Sequence, residues 1–152
     1  MILVSACLLG VNCKYNGQNN LNDRVLKLIE RETVIPVCPE QLGGCSTPRP
    51  QVEICNGDGG DVLDGKSSVL GKNGENATCR FIDGANEVLK LAKMMGIEKA
   101  ILKARSPSCG FGKIYDGTFS GQLKDGNGVT AEILKRNGIE VFTEEDIETL
   151  EF

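Results

Sequence analysis

Four short apolar, β-rich runs alternate with stretches of helical periodicity, and that alternation constrains the fold more than any other feature. The runs cover residues 2–6, 33–37, 99–104 and 139–142. The first stops at Cys7, the second at Cys38-Pro39, and the third enters Arg105-Ser-Pro-Ser-Cys-Gly110. Between them Leu21, Val25, Leu28 and Ile29 recur at helical spacing, with Asn20 or Asn22 placed to cap. A longer helix is expected from Asn76 or Thr78, with Phe81, Ala85, Val88, Leu89, Ala92 and Met95 on one face and Gly96 closing it. Gly84 inside it marks a close packing contact. A helix over 130–137 ends at Gly138, and Thr143 caps a last one over 144–150. Strand–helix alternation of this kind predicts an α/β domain with a mostly parallel β-sheet flanked by helices. At 152 residues the chain makes one domain, 1–152. The Gly- and Pro-dense stretch from Cys38 to Gly74 reads as loop, with a short strand at 51–55 and a turn at 56–60. A second Gly-rich loop runs to Gly128.

No apolar run approaches the ~20 residues of a membrane helix, and residues 1–7 lack the basic start of a signal peptide. A cytoplasmic protein is expected, with no membrane partner. The 17 basic residues are outnumbered by 21 acidic ones, which disfavours a nucleic-acid partner. There is no histidine, which removes Cys-His and Ser-His nucleophile pairs and every histidine metal site. Any transition-metal site must lean on sulfur, and the chain has 7 cysteines.

Cys7, Cys38 and Cys109 each follow a predicted parallel strand. Ligands of open α/β sheets bind outside the C-terminal strand ends, so these three are expected to converge there. Three thiolates without histidine suit an iron–sulfur cluster or a zinc ion. Cys13 and Cys45 are auxiliary candidates for the same site, and Cys55 and Cys79 are expected to be packing residues. Three function classes stay open on the residues alone. One is a cluster enzyme. Another is a zinc-, cluster- or sulfide-binding protein without C–S cleavage. The third is a thiol-redox protein.

A whole-chain resemblance narrows these classes. Ser5-Ala-Cys-Leu-Leu-Gly10, Lys14-Tyr-Asn-Gly17, Cys38-Pro-Glu40, Thr47-Pro-Arg-Pro50, Arg105-Ser-Pro-Ser-Cys-Gly110 and Ile114-Tyr-Asp-Gly-Thr-Phe-Ser-Gly121 together resemble the thiouracil desulfidase family. The chain departs from that family's usual pattern at Asn16 and Cys45. The resemblance implies a [4Fe–4S] cluster held by Cys7, Cys38 and Cys109, with one iron left open as a Lewis acid. It also implies removal of sulfur from a small thiolated pyrimidine, such as 2- or 4-thiouracil. Glu40, two residues after a ligand, is the first candidate for the base that activates water, with Glu53 as the alternative carboxylate. Ser106 and Ser108 are candidates to orient that water, and Lys103 to stabilise negative charge. Arg49 and Ser5 are the substrate-binding candidates.

Overall fold

The four apolar runs lie side by side and point the same way. In the computed structural model, which describes residues 1–150, they form β1 (Ile2–Ser5), β2 (Val34–Val37), β5 (Lys99–Leu102) and β8 (Glu140–Thr143). Their order is β2-β1-β5-β8, and every pairing is parallel. The central strand β1 is buried along its whole length, as expected for a parallel strand covered on both faces. On one face Leu3, Ala100 and Leu102 pack against α4 (Thr78–Met95) and α5 (Val129–Arg136) through Val88, Ala92, Ala131 and Leu134. On the other, Ile2, Val4 and Ile101 pack against Leu8, Val25 and Leu28. The result is a single α/β domain with a parallel core sheet flanked by helices, as the alternation predicts. Residues 151 and 152 of the expected domain lie outside the described residues. Among the described residues, no helix is long and apolar enough to cross a membrane.

The helix expected after Asn20 is shorter than its periodicity suggests. Only α1 (Asp23–Leu26) is α-helical, and the chain tightens to a 3₁₀ turn over Lys27–Glu30. Asn22 is the cap, its side chain accepting from Arg24 and Val25 N–H at 3.1 Å each. Val25 and Leu28 are buried, whereas Leu21 and Ile29 are exposed. The last helix is likewise a 3₁₀ turn, Glu144–Thr149, with Thr143 and Asp146 forming a capping box. In α4 Phe81, Ala85, Val88 and Ala92 of the expected apolar face are buried and Leu89 is half-buried, but Met95 is exposed in the last turn before Gly96 (φ 65). Cys79, expected to pack, is exposed on the same helix.

Both Gly-rich stretches hold structure that local composition hides. The first contains α2 (Pro39–Leu42), β3 (Val52–Cys55), α3 (Gly59–Leu63) and β4 (Ser68–Gly71), with β3 and β4 antiparallel. The second contains the antiparallel pair β6 (Lys113–Tyr115) and β7 (Leu123–Asp125). Val52, Ile54, Val62, Val69, Phe81 and Ile114 close a second apolar cluster against the N-terminal half of α4. The strand expected at 51–55 is β3, whereas β4, β6 and β7 escape detection because too few residues alternate for a period-2 pattern to stand out.

The expected close contact at Gly84 is real, and it seats α2. A Cβ on Gly84 would lie 1.9 Å from the Pro39 carbonyl oxygen, and one on Gly43 would lie 1.9 Å from that of Arg80. The two helix backbones touch. Alanine is the better helix former by about 1 kcal/mol. Here the obstacle is a backbone carbonyl that cannot rotate away, and overpacking costs about 1–3 kcal/mol or more. The clash wins, so Gly84→Ala is expected to lower the urea midpoint of unfolding at an unchanged m-value.

Candidate functional site

A cavity of about 260 Å³ opens at the C-terminal edge of the sheet, and Cys7, Cys13, Cys38 and Cys109 are among its walls. Cys7 sits in the 3₁₀ turn Ala6–Leu9 that ends β1. Cys38 follows β2 and caps α2. Cys109 arrives later after β5, because Arg105 takes left-handed backbone (φ 71) and re-aims the chain. The turn that follows closes by Gly110 N–H donating to Ser106 O at 2.9 Å. Three segments far apart in sequence thus meet at one edge because parallel strands share one exit face. Among the described residues, no three His, Cys, Asp or Glu side chains surround one point as ligands of a single metal ion would. The cysteines line a cavity instead.

Cys13 is buried between two of the candidate ligands. Its hydrogen bond draws the Cys7 thiol down to about 7 against the effect of burial, with further help from the Asn20 side chain. The same thiol draws Cys38 down to about 7, again against burial, aided by the Gln41 backbone N–H. Cys13 itself is held protonated well above the ordinary thiol range, first by its bond to Cys38 and then by that to Cys7. Cys109 is pushed up to about 12 by burial, against the opposing hydrogen bonds of Ser5 and Ser108. Cys45 does not join this group. It packs beside the second apolar cluster and lines a separate cavity of about 300 Å³ beyond Glu40 and Arg49. Burial raises its thiol as well. Among the described residues, all seven cysteines are free.

Beside Cys109 runs a chain of polar side chains. Cys109 N–H donates to Ser106 Oγ at 2.8 Å, and Ser106 Oγ lies 3.5 Å from Ser108 Oγ. Ser108 Oγ donates to Glu40 Oε2 at 3.1 Å. The other carboxylate oxygen of Glu40 accepts from Arg49 Nε at 3.0 Å, in a pair whose side chains are 16% and 7% exposed. Arg49 also donates to Cys13 O at 2.7 Å and to Thr47 Oγ1 at 3.0 Å. Each of its three nitrogens therefore donates to a protein acceptor. Glu40, expected on a loop, stands in the first turn of α2, so the Gly84 contact that seats this helix also seats the carboxylate.

Lys103 borders the cavity, with Nζ 2.8 Å from Glu144 Oε2. Glu144 Oε1 accepts Ala104 N–H at 2.6 Å and so ties the lysine's segment to the end of β8. No local signal marks Glu144, since its partners lie 40 residues upstream. Ser5 is 2% exposed, and its hydroxyl, expected to meet substrate, is engaged within the wall by Cys109 and by Lys103 N–H. Glu53, the alternative base, lies off the cavity. It is 3% exposed and accepts the N–H groups of Gly117 and Phe119 at 3.0 and 3.1 Å, which holds the turn between β6 and β7. Tyr15 and Tyr115 complete the cavity wall. Neither is among the sequence-derived candidates, although both lie inside motifs quoted above. Lys14 Nζ stands 5.7 Å from the Tyr15 ring centroid, within cation–π range.

Known proteins match nearly the whole chain. The model of the 2-thiouracil desulfurase family matches residues 2–146. The uncharacterized protein YbbK of Bacillus subtilis (strain 168) is 45% identical over 147 residues, 97% of each chain. A solved structure described as the [4Fe-4S]-dependent thiouracil desulfidase TudS matches with a TM-score of 0.85 at 38% identity, covering 98% of this chain and 93% of that one. Agreement of this extent leaves no segment of the core unaccounted for, and the chain belongs to the 2-thiouracil desulfurase family.

Proposed function

We propose that this protein is a [4Fe–4S]-dependent desulfidase that hydrolyses the C=S bond of a small thiolated pyrimidine, giving the oxo base and sulfide. The observation that carries the proposal is one cavity with Cys7, Cys38 and Cys109 on its walls and the Ser108–Glu40–Arg49 chain beside them. A donor set of three cysteines without histidine fits such a cluster.

Cys7, Cys38 and Cys109 would hold the cluster, which would supply Lewis acidity toward the thiocarbonyl when bound. The remaining tasks fall to the chain. Glu40 accepts a proton from the water that attacks the carbon, which the reaction needs once per turnover. Arg49 fixes the carboxylate, and Ser108 holds its other oxygen in place. Ser106 extends the same line of hydrogen bonds. Lys103, steadied by Glu144, is the cation placed to stabilise negative charge on the pyrimidine. Tyr15 and Tyr115 supply flat walls for a planar ring. The balance is one water in, one sulfide out, with no net electron transfer. Residues 1–152 act as one domain in this reading. A cluster held by cysteine thiolates calls for a reducing compartment, which supports the cytoplasmic expectation.

The test is anaerobic reconstitution followed by incubation with 2-thiouracil and 4-thiouracil. Equal amounts of sulfide and uracil, formed catalytically, are expected. A fully loaded protein that releases neither would leave a cluster or sulfide carrier, and a protein that takes up zinc or no metal would overturn the reading altogether.

A further inference from the structure

Cys109 is the most deeply placed of the three candidate ligands. It is 5% exposed and belongs to the main apolar core with Leu3, Val37 and Leu102. A thiolate there loses its hydration and needs hydrogen-bond donors in exchange. Two hydroxyls are within reach, Ser5 Oγ at 3.3 Å and Ser108 Oγ at 3.6 Å. Each hydroxyl has one proton to give. Ser108 also lies 3.1 Å from the Glu40 carboxylate, a harder acceptor at shorter range, and its proton goes there. Ser5 has no such competitor. Its oxygen accepts Lys103 N–H at 2.9 Å, which turns its own proton toward the sulfur. Ser5 also ends the buried central strand, so it cannot swing away.

We propose that Ser5 is a positioning residue for the Cys109 ligand, the dedicated O–H donor that holds this sulfur in place and stabilises its negative charge. The inference rests on the cluster reading above and deepens it. Ser5 would not contact substrate. With the cluster bound, a donor to a ligand sulfur stabilises the more negative, reduced state and so raises the reduction potential.

The experiment compares wild type, Ser5→Ala and Ser5→Thr after anaerobic reconstitution, with circular dichroism to confirm folding. Iron release to a chelator and the cluster reduction potential are the readouts, alongside KM for a thiouracil. In Ser5→Ala, iron release is expected to quicken about tenfold, in line with a hydrogen bond to a charged group. Its potential is expected to fall, with KM unchanged. Ser5→Thr, which keeps the hydroxyl, is expected to restore both cluster properties. Wild-type release and potential in Ser5→Ala would overturn the inference alone, as would a rise in KM without change in the cluster. A wild-type chain that assembles no cluster would overturn the desulfidase reading and the inference with it.

Discussion

Cys7→Ala, Cys38→Ala and Cys109→Ala are each expected to lose the cluster almost completely. Wild type should hold about four iron and four labile sulfide per chain, as a [4Fe–4S] centre requires. The effect is large because each segment contributes one sulfur from a different strand end. Cys13 is the nearest spare thiol, on the wall of the same cavity, and iron retained in Cys7→Ala or Cys38→Ala would point to it. Cys45→Ala serves as the control. Its thiol faces the separate cavity beyond the Glu40–Arg49 pair, and full cluster content is expected. Iron and sulfide analysis reads all four variants. Retention of the cluster in any of the three ligand variants would show that another residue holds it there. Loss in Cys45→Ala would show that the second cavity is part of the site.

The second large effect is expected at Glu40. Glu40→Gln keeps the shape and one acceptor oxygen but cannot take up a proton. If Glu40 is the base, the turnover number should fall by about 10²–10⁴, the range for a positioned acid–base group. Cluster content should stay at the wild-type level, because the carboxylate is not a ligand in this reading. KM should change little, since Glu40 faces Ser108 and Arg49. Arg49 should also keep its place, as its remaining donors are anchored on Cys13 O and Thr47. A near-normal turnover number would remove Glu40 from the chemistry and leave it as a brace for Arg49. Single-turnover sulfide release under anaerobic conditions is the direct measurement.

Much of this site is legible in the linear text. Cys7 and Cys38 stand at the ends of apolar runs that read as strands, and the family motifs surround both. Cys109 belongs to a motif as well, although its strand ends further upstream and a left-handed residue intervenes. Gly84 is legible as a contact because a glycine in a helix interior needs a reason. The helix α2 is not legible, because four residues among glycines and prolines carry no periodicity. The partnership of Lys103 with Glu144, and the burial of Glu53 under the turn at Gly117, have no local signature. Each joins residues from different elements.

The linear sequence was enough to set the class of the molecule. Residue order alone decides where apolar runs alternate with helical faces, and composition alone decides that sulfur is the only soft ligand available. It also named the three cysteines, because parallel strands all deliver their ends to one edge. Only the tertiary structure decided what each polar side chain does there. It turned Arg49 into the wall, set Glu40 between Arg49 and Ser108, drew Cys13 in and left Cys45 out. It also directed the Ser5 hydroxyl to a sulfur. These are choices among hydrogen-bond partners 3 Å apart in space and tens of residues apart in the chain, as in Ser108 to Glu40 at 3.1 Å across 68 positions. Such partners are selected by burial and geometry after the core has closed, when a buried polar group left without one is costly.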